Sequence, residues 1–226
     1  MEKKLISDLV AEHTDYFRDQ FIRLTNIKRL NQYVLKGQIL FTGSSLMEQF
    51  PVAELATSHQ LGKVVYNRGI GGYNSDDFLA QIDPMLFDLE PSKVFLNIGT
   101  NDMYERADGE DWLTHLLNNY RKIFDLCREK LPNTEFYIMA FYPVNRVIPA
   151  AQGLLSNMLK VRTRENLALA NENIKALTEE YGYHYIDVND GLTDEDGSLK
   201  EDFTVEGVHM FSDAYEVVYQ NLQPYL

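Results

Sequence analysis

The sequence predicts an α/β fold in which five parallel strands form a sheet covered by helices on both faces. Three observations carry that prediction. Short apolar runs alternate along the chain with longer segments of helical periodicity, the pattern of strand–helix–strand units. The first of those runs, Ile39-Leu40-Phe41, is apolar throughout and reads as a buried strand. No internal repeat, low-complexity tract or interdomain linker divides the 226 residues, so a single domain over 1–226 is expected.

In chain order, residues 5 to about 30 place Leu5, Leu9, Val10, Phe17, Phe21, Leu24 and Ile27 mostly on one helical face. This is an N-terminal helical extension, about 1–34, expected to pack over the domain or against a second subunit. Gly37 ends the pattern and the first strand follows, cut by Thr42-Gly43-Ser44-Ser45 ahead of a short helix. The second strand covers 63–67, its loop runs from Arg68 to Asn74, and Ser75 is the expected cap of the next helix. The third strand covers 93–98 and ends in Gly99-Thr100-Asn101-Asp102. A helix is predicted over about 110–130 and a fourth strand over 135–141, stopped by Pro143. An irregular loop at 145–153 precedes one long helix, about 154–181, which Gly182 stops. The fifth strand covers 183–188. An acidic, turn-rich loop at 190–203 leads to a last helix over about 212–220.

Composition narrows the function classes. The formal net charge is −13, which disfavours nucleic acid or an anionic membrane surface as partner. The lone cysteine, Cys127, allows no intrachain disulfide and sits in a helical pattern, where a small core residue is expected. The N-terminus turns acidic before any long apolar run develops, and no segment is long enough to span a bilayer. A cytoplasmic location without membrane insertion is the expectation.

Chemistry collects in the loops. Ser45 stands at the carboxyl end of the first strand, where an open α/β sheet presents its ligand crevice. The loops after the second and third strands carry Gly72 and Asn101, and near the C-terminus the chain reads Val205-Glu206-Gly207-Val208-His209-Met210. In one crevice these groups are complementary. Ser45 can attack an acyl carbon if His209 takes its proton, and Glu206 can orient the ring. The N–H groups of Ser45 and Gly72 and the side-chain amide of Asn101 form an oxyanion hole. Glycine suits the second position because backbone must approach the oxyanion without a side chain between.

With those residues the chain resembles the SGNH hydrolases, the GDSL-like lipase/acylhydrolase family, and within it the branch related to platelet-activating-factor acetylhydrolase. The four blocks of that family occur in order: Gly43-Ser44-Ser45, Asn67-Arg68-Gly69-Ile70-Gly71-Gly72, Gly99-Thr100-Asn101-Asp102 and Glu206-Gly207-Val208-His209. The resemblance runs over about 38–226 and leaves the N-terminal helix outside. It implies a three-layer, flavodoxin-like α/β/α fold. It also implies a serine esterase with Ser45, His209 and Glu206 as triad, Ser45, Gly72 and Asn101 as oxyanion donors, and no cofactor. Three positions depart from the family pattern: Ser44 stands for the usual Asp, Tyr73 for the usual acidic residue, and Glu206 for the usual triad Asp.

Other readings are weaker. Gly69-Ile70-Gly71-Gly72 lacks the third glycine of a dinucleotide loop, because position 74 is Asn. No P-loop lysine follows a glycine run, and Ser45 is not in a G-x-S-x-G elbow. His13, His59, His115 and His184 lack ligand spacing, so no metal is expected. Asp102 reads as a structural hydrogen-bonding residue, and Trp112 and Tyr104 as pocket-lining or packing residues. The expected substrate is a small, short-acyl ester. The alternatives are a thioesterase, or a carbohydrate-binding or scaffold protein of the same fold that has lost turnover. A homo-oligomer through the N-terminal helix is a further expectation.

Overall fold

The computed structural model describes residues 15–155 and 157–226. Five strands, β1 (Ile39–Gly43), β2 (Val65–Asn67), β3 (Lys93–Asn97), β4 (Glu135–Met139) and β5 (His184–Ile186), form one parallel sheet in the order β2-β1-β3-β4-β5. Their side chains alternate between two cores, as the pleat requires. Leu40, Val94, Leu96, Phe136 and Ile138 face one way. They pack against α1 (Asp15–Leu30), α4 (Ser75–Ala80), α5 (Ile82–Met85), α6 (Trp112–Lys130) and α8 (Arg164–Glu180). Ile39, Phe41, Val65, Phe95 and Met139 face the other way, against α2 (Ser45–Glu48), α3 (Val52–Ser58) and α9 (Ser212–Leu222). The expected three-layer α/β/α sandwich is thus present. An aromatic row crosses four strands in register: Phe41 stacks on Phe95 (centroids 4.5 Å), Phe95 on Tyr137 (5.0 Å) and Tyr137 on the ring of His184 (4.8 Å).

The strand order reverses direction at β1, whose chain goes first to β2 on one side and later to β3 on the other. A crevice opens at the carboxyl ends beside such a switch. Gly43 and Asn97 are paired in register, so β1 and β3 end level with one another. Gly43 has no room for a side chain: a Cβ there would lie 1.9 Å from the carbonyl oxygen of Asn97.

Several predicted boundaries shift. The first helix is described from Asp15, so Leu5, Leu9 and Val10 lie outside the described residues. β4 stops at Met139 instead of 141, because the Phe141 N–H leaves the ladder to donate to Asn171 Oδ1 on α8 (2.8 Å). The loop after β4 contains a 3₁₀ turn, Pro149–Leu154. The helix predicted over about 154–181 is two: α7 (Met158–Val161) and α8, broken at Arg162 and Thr163. Thr163 caps α8, its hydroxyl accepting the N–H of Asn166, and so ends continuity with α7. Ser75 is not the cap of α4. Asn74 is, in a capping box with Asp77, and Ser75 turns inward.

Among the described residues, no helix is long and apolar enough to cross a membrane. Helix α1 lies over the sheet-end loops of its own chain, with Ile27 in the core and Gln20 and Arg23 reaching the loop after β2.

Candidate active site

Ser45 is the first residue of α2, two residues beyond β1, and its N–H has no acceptor among the described residues. Ser44 precedes it as N-cap. It is 1% exposed, and its hydroxyl oxygen is buried without a hydrogen-bond partner among the described residues, so of the two serines only Ser45 lines the cleft.

The loop after β2 is built around glycine. A Cβ on Gly69 would fall 2.3 Å from the backbone nitrogen of Glu48, so this close approach of loop to α2 excludes any side chain. Asn67 braces the same approach: its amide donates to the carbonyls of Met47 (2.5 Å) and Phe50 (3.1 Å). The amides of the loop can be accounted for one by one. Gly69 donates to Asn67 Oδ1 (2.9 Å), Ile70 to the Gly43 carbonyl (3.0 Å), Gly71 to Glu48 Oε2 (2.5 Å) and Tyr73 to the Ile70 carbonyl (3.3 Å). The N–H of Gly72 alone in this run has no acceptor among the described residues, and Gly72 lines the same cleft as Ser45.

Asn101 lies in a 3₁₀ turn after β3, Thr100–Asp102. Its amide donates one hydrogen to the carbonyl of Tyr73 (2.9 Å), and its Oδ1 accepts from Arg162 (3.0 Å). That pair of contacts fixes which end of the amide is nitrogen and leaves its second N–H unused at the cleft. Arg162 also donates to the Thr100 carbonyl (2.7 Å) and is 3% exposed. Burial draws its guanidinium down to about 10, against the opposing pull of Asp102 and Glu206. Sequence reasoning missed Arg162 because the residue sat inside a supposed continuous helix. The signal available was Thr163, a capping residue in the middle of that pattern.

His209 comes from a tight turn before α9. Thr204 and Met210 form an antiparallel bridge, and the Thr204 hydroxyl accepts from Gly207 N–H (2.9 Å) and donates to the His209 carbonyl (2.8 Å). Gly207, at φ 99°, lies so close to Asn145 that a Cβ would be 2.2 Å from its carbonyl oxygen. The turn folds Glu206 back on itself. One oxygen, Oε1, meets both the ring Nδ1 of His209 (2.5 Å) and the His209 N–H (3.2 Å). The extra methylene of glutamate is thus absorbed by folding the side chain over its own turn. An ionised carboxylate only accepts, so Nδ1 carries the ring proton and Nε2 is left to face Ser45 Oγ at 2.9 Å. Burial pushes the Glu206 carboxyl up, but the hydrogen bonds and charge of His209 outweigh it and hold it below the usual carboxylate range. Asp202, another acid seven residues before His209, is exposed on a separate 3₁₀ turn, Glu201–Phe203.

All the predicted site residues therefore converge: Ser45, Gly72, Asn101 and His209 line one cavity of about 410 Å³, with Glu206 behind His209. Asp19, Gln20 and Arg23 of α1 line it as well, which sequence reasoning did not anticipate. Trp112 packs against the core, and Tyr104 is 41% exposed; neither lines this cavity.

His115 is less isolated than its sequence position suggests. One ligand atom each from Asp76, Asp102 and His115 falls within 4.8 Å of the others. The cluster is closed by internal hydrogen bonds. His115 Nδ1 pairs with Glu110 and Nε2 with Asp76 (both 2.8 Å), while Asp102 accepts from the N–H and hydroxyl of Ser75. Burial raises the Asp102 carboxyl to about 6.

Comparison with known proteins places the fold and the family. The chain is similar to a solved Streptococcus pneumonia protein described as a candidate platelet activating factor. The two are 28% identical, with a TM-score of 0.82 over 98% of this chain and 99% of that one. A GDSL-like lipase from Bacteroides thetaiotaomicron shares the fold at 18% identity, with a TM-score of 0.69 over 89% and 97% of the two chains. So does an acetylxylan esterase from Geobacillus stearothermophilus, at 15% identity, with a TM-score of 0.62 over 84% and 94%. No curated protein sequence matches the chain significantly. The model of the GDSL-like Lipase/Acylhydrolase family matches residues 45–217, from the serine after β1 into the last helix. The chain therefore belongs to that family and is a carboxylic ester hydrolase.

Proposed function

We propose that this protein hydrolyses short-acyl esters of a polar alcohol through an acyl-enzyme on Ser45. The observation that carries the reading is the unbroken chain Ser45 Oγ–His209 Nε2 (2.9 Å) and His209 Nδ1–Glu206 Oε1 (2.5 Å) beside unpaired N–H groups. In the first half-reaction Ser45 Oγ attacks the ester carbon while its proton passes to His209 Nε2. The carbonyl oxygen becomes an oxyanion that accepts from Ser45 N–H, Gly72 N–H and Asn101 Nδ2. Collapse of the tetrahedral adduct breaks the carbon–alkoxide bond, and the imidazolium returns its proton to the departing alcohol. Water then attacks the acyl carbon, gives its proton to His209, and the same steps in reverse release the carboxylic acid and Ser45. Glu206 holds the tautomer and balances the imidazolium charge throughout.

The cavity lining supports the substrate class. Asp19, Gln20, Arg23, Glu48 and Gln49 give the cleft a polar wall, and Met158 is its one aliphatic side chain. With one aliphatic side chain and many polar ones among the described lining residues, the cleft suits an acetyl group and a hydroxylated alcohol better than a long acyl chain. A fluorophosphonate probe should label wild-type protein on Ser45, and an ester panel of graded acyl length should give its highest kcat/KM at acetate. Faster turnover of C8–C12 esters would overturn the short-acyl assignment. No labelling and no hydrolysis would favour a binding protein of the same fold.

A further inference from the structure

Helix α1 lies outside the matched region 45–217, yet it grips the glycine loop at two points. Gln20 Nε2 donates to the Gly71 carbonyl at 2.7 Å, and Arg23 Nε donates to the Gly69 carbonyl at 3.1 Å. Arg23 also pairs with Glu48 (3.4 Å), the carboxylate that accepts the Gly71 N–H. The described residues contain no cis peptide bond, so the carbonyl of Gly71 and the N–H of Gly72 point in opposite directions across one planar unit. Anchoring that carbonyl on α1 therefore fixes where the Gly72 N–H points. Gly72 sits at φ 74°, which glycine adopts about as readily as negative φ, so its own conformation does not fix the peptide plane and the Gln20 contact does. Among the described residues, the N–H so directed is the one in this loop left without an acceptor.

We propose that Gln20 is a positioning residue for the oxyanion hole, with Arg23 and Glu48 bracing the same loop, so that the N-terminal helix belongs to the catalytic apparatus. The proposal rests on the reading of Gly72 as an oxyanion donor. Its physical content is preorganisation: a donor that need not reorient during reaction stabilises the transition state more than the bound substrate.

The test compares wild type, Gln20→Ala and Gln20→Met in the full chain, with Lys28→Ala as a control on the same helix that meets Gln81 far from the site. Methionine keeps about the length of glutamine and removes its amide, including the donor to the Gly71 carbonyl. With p-nitrophenyl acetate, both Gln20 variants should lose about tenfold in kcat, less than the ~10²–10³ for removing a whole oxyanion donor. KM should stay within about twofold. Affinity for a boronic acid that forms a tetrahedral adduct on Ser45 should fall by the same factor as kcat, and Lys28→Ala should match wild type. Wild-type kcat in Gln20→Met, or a loss appearing in KM alone, would overturn the proposal while leaving the esterase reading intact. A wild-type protein that hydrolyses no ester and takes no fluorophosphonate would overturn both.

Discussion

Neighbouring serines illustrate how one residue step separates chemistry from packing. Ser45 Oγ meets His209, whereas the Ser44 hydroxyl is buried without a partner among the described residues. Ser45→Ala should lower kcat by ~10³-fold or more, since members of a triad act as a unit. Ser44→Ala should leave kcat within about threefold and the melting temperature unchanged or raised, because it removes an unpaired buried hydroxyl. A Ser44→Ala variant as inactive as Ser45→Ala would reverse the assignment. Glu206→Gln keeps the shape but offers Nδ1 the wrong group, and a loss of up to ~10⁴ in kcat is expected. Asp202→Asn should be close to wild type, since Asp202 is exposed on a separate turn. Kinetics in which these two variants exchange places would make Asp202 the acid. Arg162 acts one step further back, through the Oδ1 of Asn101. Arg162→Met should free that amide to rotate, lowering kcat about tenfold with KM little changed. Unaltered kcat would show that the Tyr73 carbonyl alone orients Asn101.

At the scale of elements, the interruption between α7 and α8 is the consequential feature. A continuous helix would carry Arg162 along its own axis. The break turns its side chain into the floor of the site, and the Thr163 cap fixes where α8 restarts. Thr163→Ala should destabilise by about 1 kcal/mol. In a chain of this size that lowers the melting temperature by roughly 2–4 °C. Differential scanning calorimetry reads it directly, and an unchanged transition would mean that the cap contributes nothing. The loops after β1, β2 and β3 reach the crevice for a similar local reason. Gly43 and Gly69 admit backbone where any side chain would collide, and that contact sets the spacing between Ser45 and the glycine loop.

Across the whole molecule, buried charge sets a pH dependence of stability separate from that of activity. Asp102 is 3% exposed, and burial raises its carboxyl to about 6 in the folded protein, above its ordinary range near 4 in the unfolded chain. Between those values the folded state holds a proton that the unfolded state has released. Stability from this group is therefore present at low pH and is lost as pH rises from about 4 to about 6, with no further change above. Asp102→Asn keeps an acceptor for Ser75 and removes the titration. Relative to wild type, its unfolding free energy should rise by roughly 2 kcal/mol between pH 4 and pH 7. Denaturant unfolding across that range checks it, and parallel curves for the two proteins would refute the raised carboxyl.

Much of this was legible in the chain as written. The apolar runs locate the central strands β1 and β3 most clearly, because a strand buried on both faces leaves a run no loop would tolerate, whereas the edge strands β2 and β5 are only partly buried. Ser45, Gly72, Asn101, Glu206 and His209 were legible because each sits in a short block whose residue types carry chemistry. Glu206 was legible as a candidate residue but not as a geometry. That Oε1 serves both the ring and the backbone of His209 follows from the Thr204–Met210 turn, which forms only when Gly207 closes on Asn145. Arg162, Gln20, Arg23 and the Asp76–Asp102–His115 cluster were not legible at all. The contacts of Gln20 and Arg23 with the glycine loop, of His115 with Asp76 and of Arg162 with Thr100 and Asn101 span 39 to 62 positions, and nothing in local periodicity encodes a contact at that range. The sequence by itself determined which groups could do the chemistry and in which loops they lie. Only the tertiary structure decided what holds them still, because a hydrogen bond between distant segments exists only once the sheet has brought its loops to one edge.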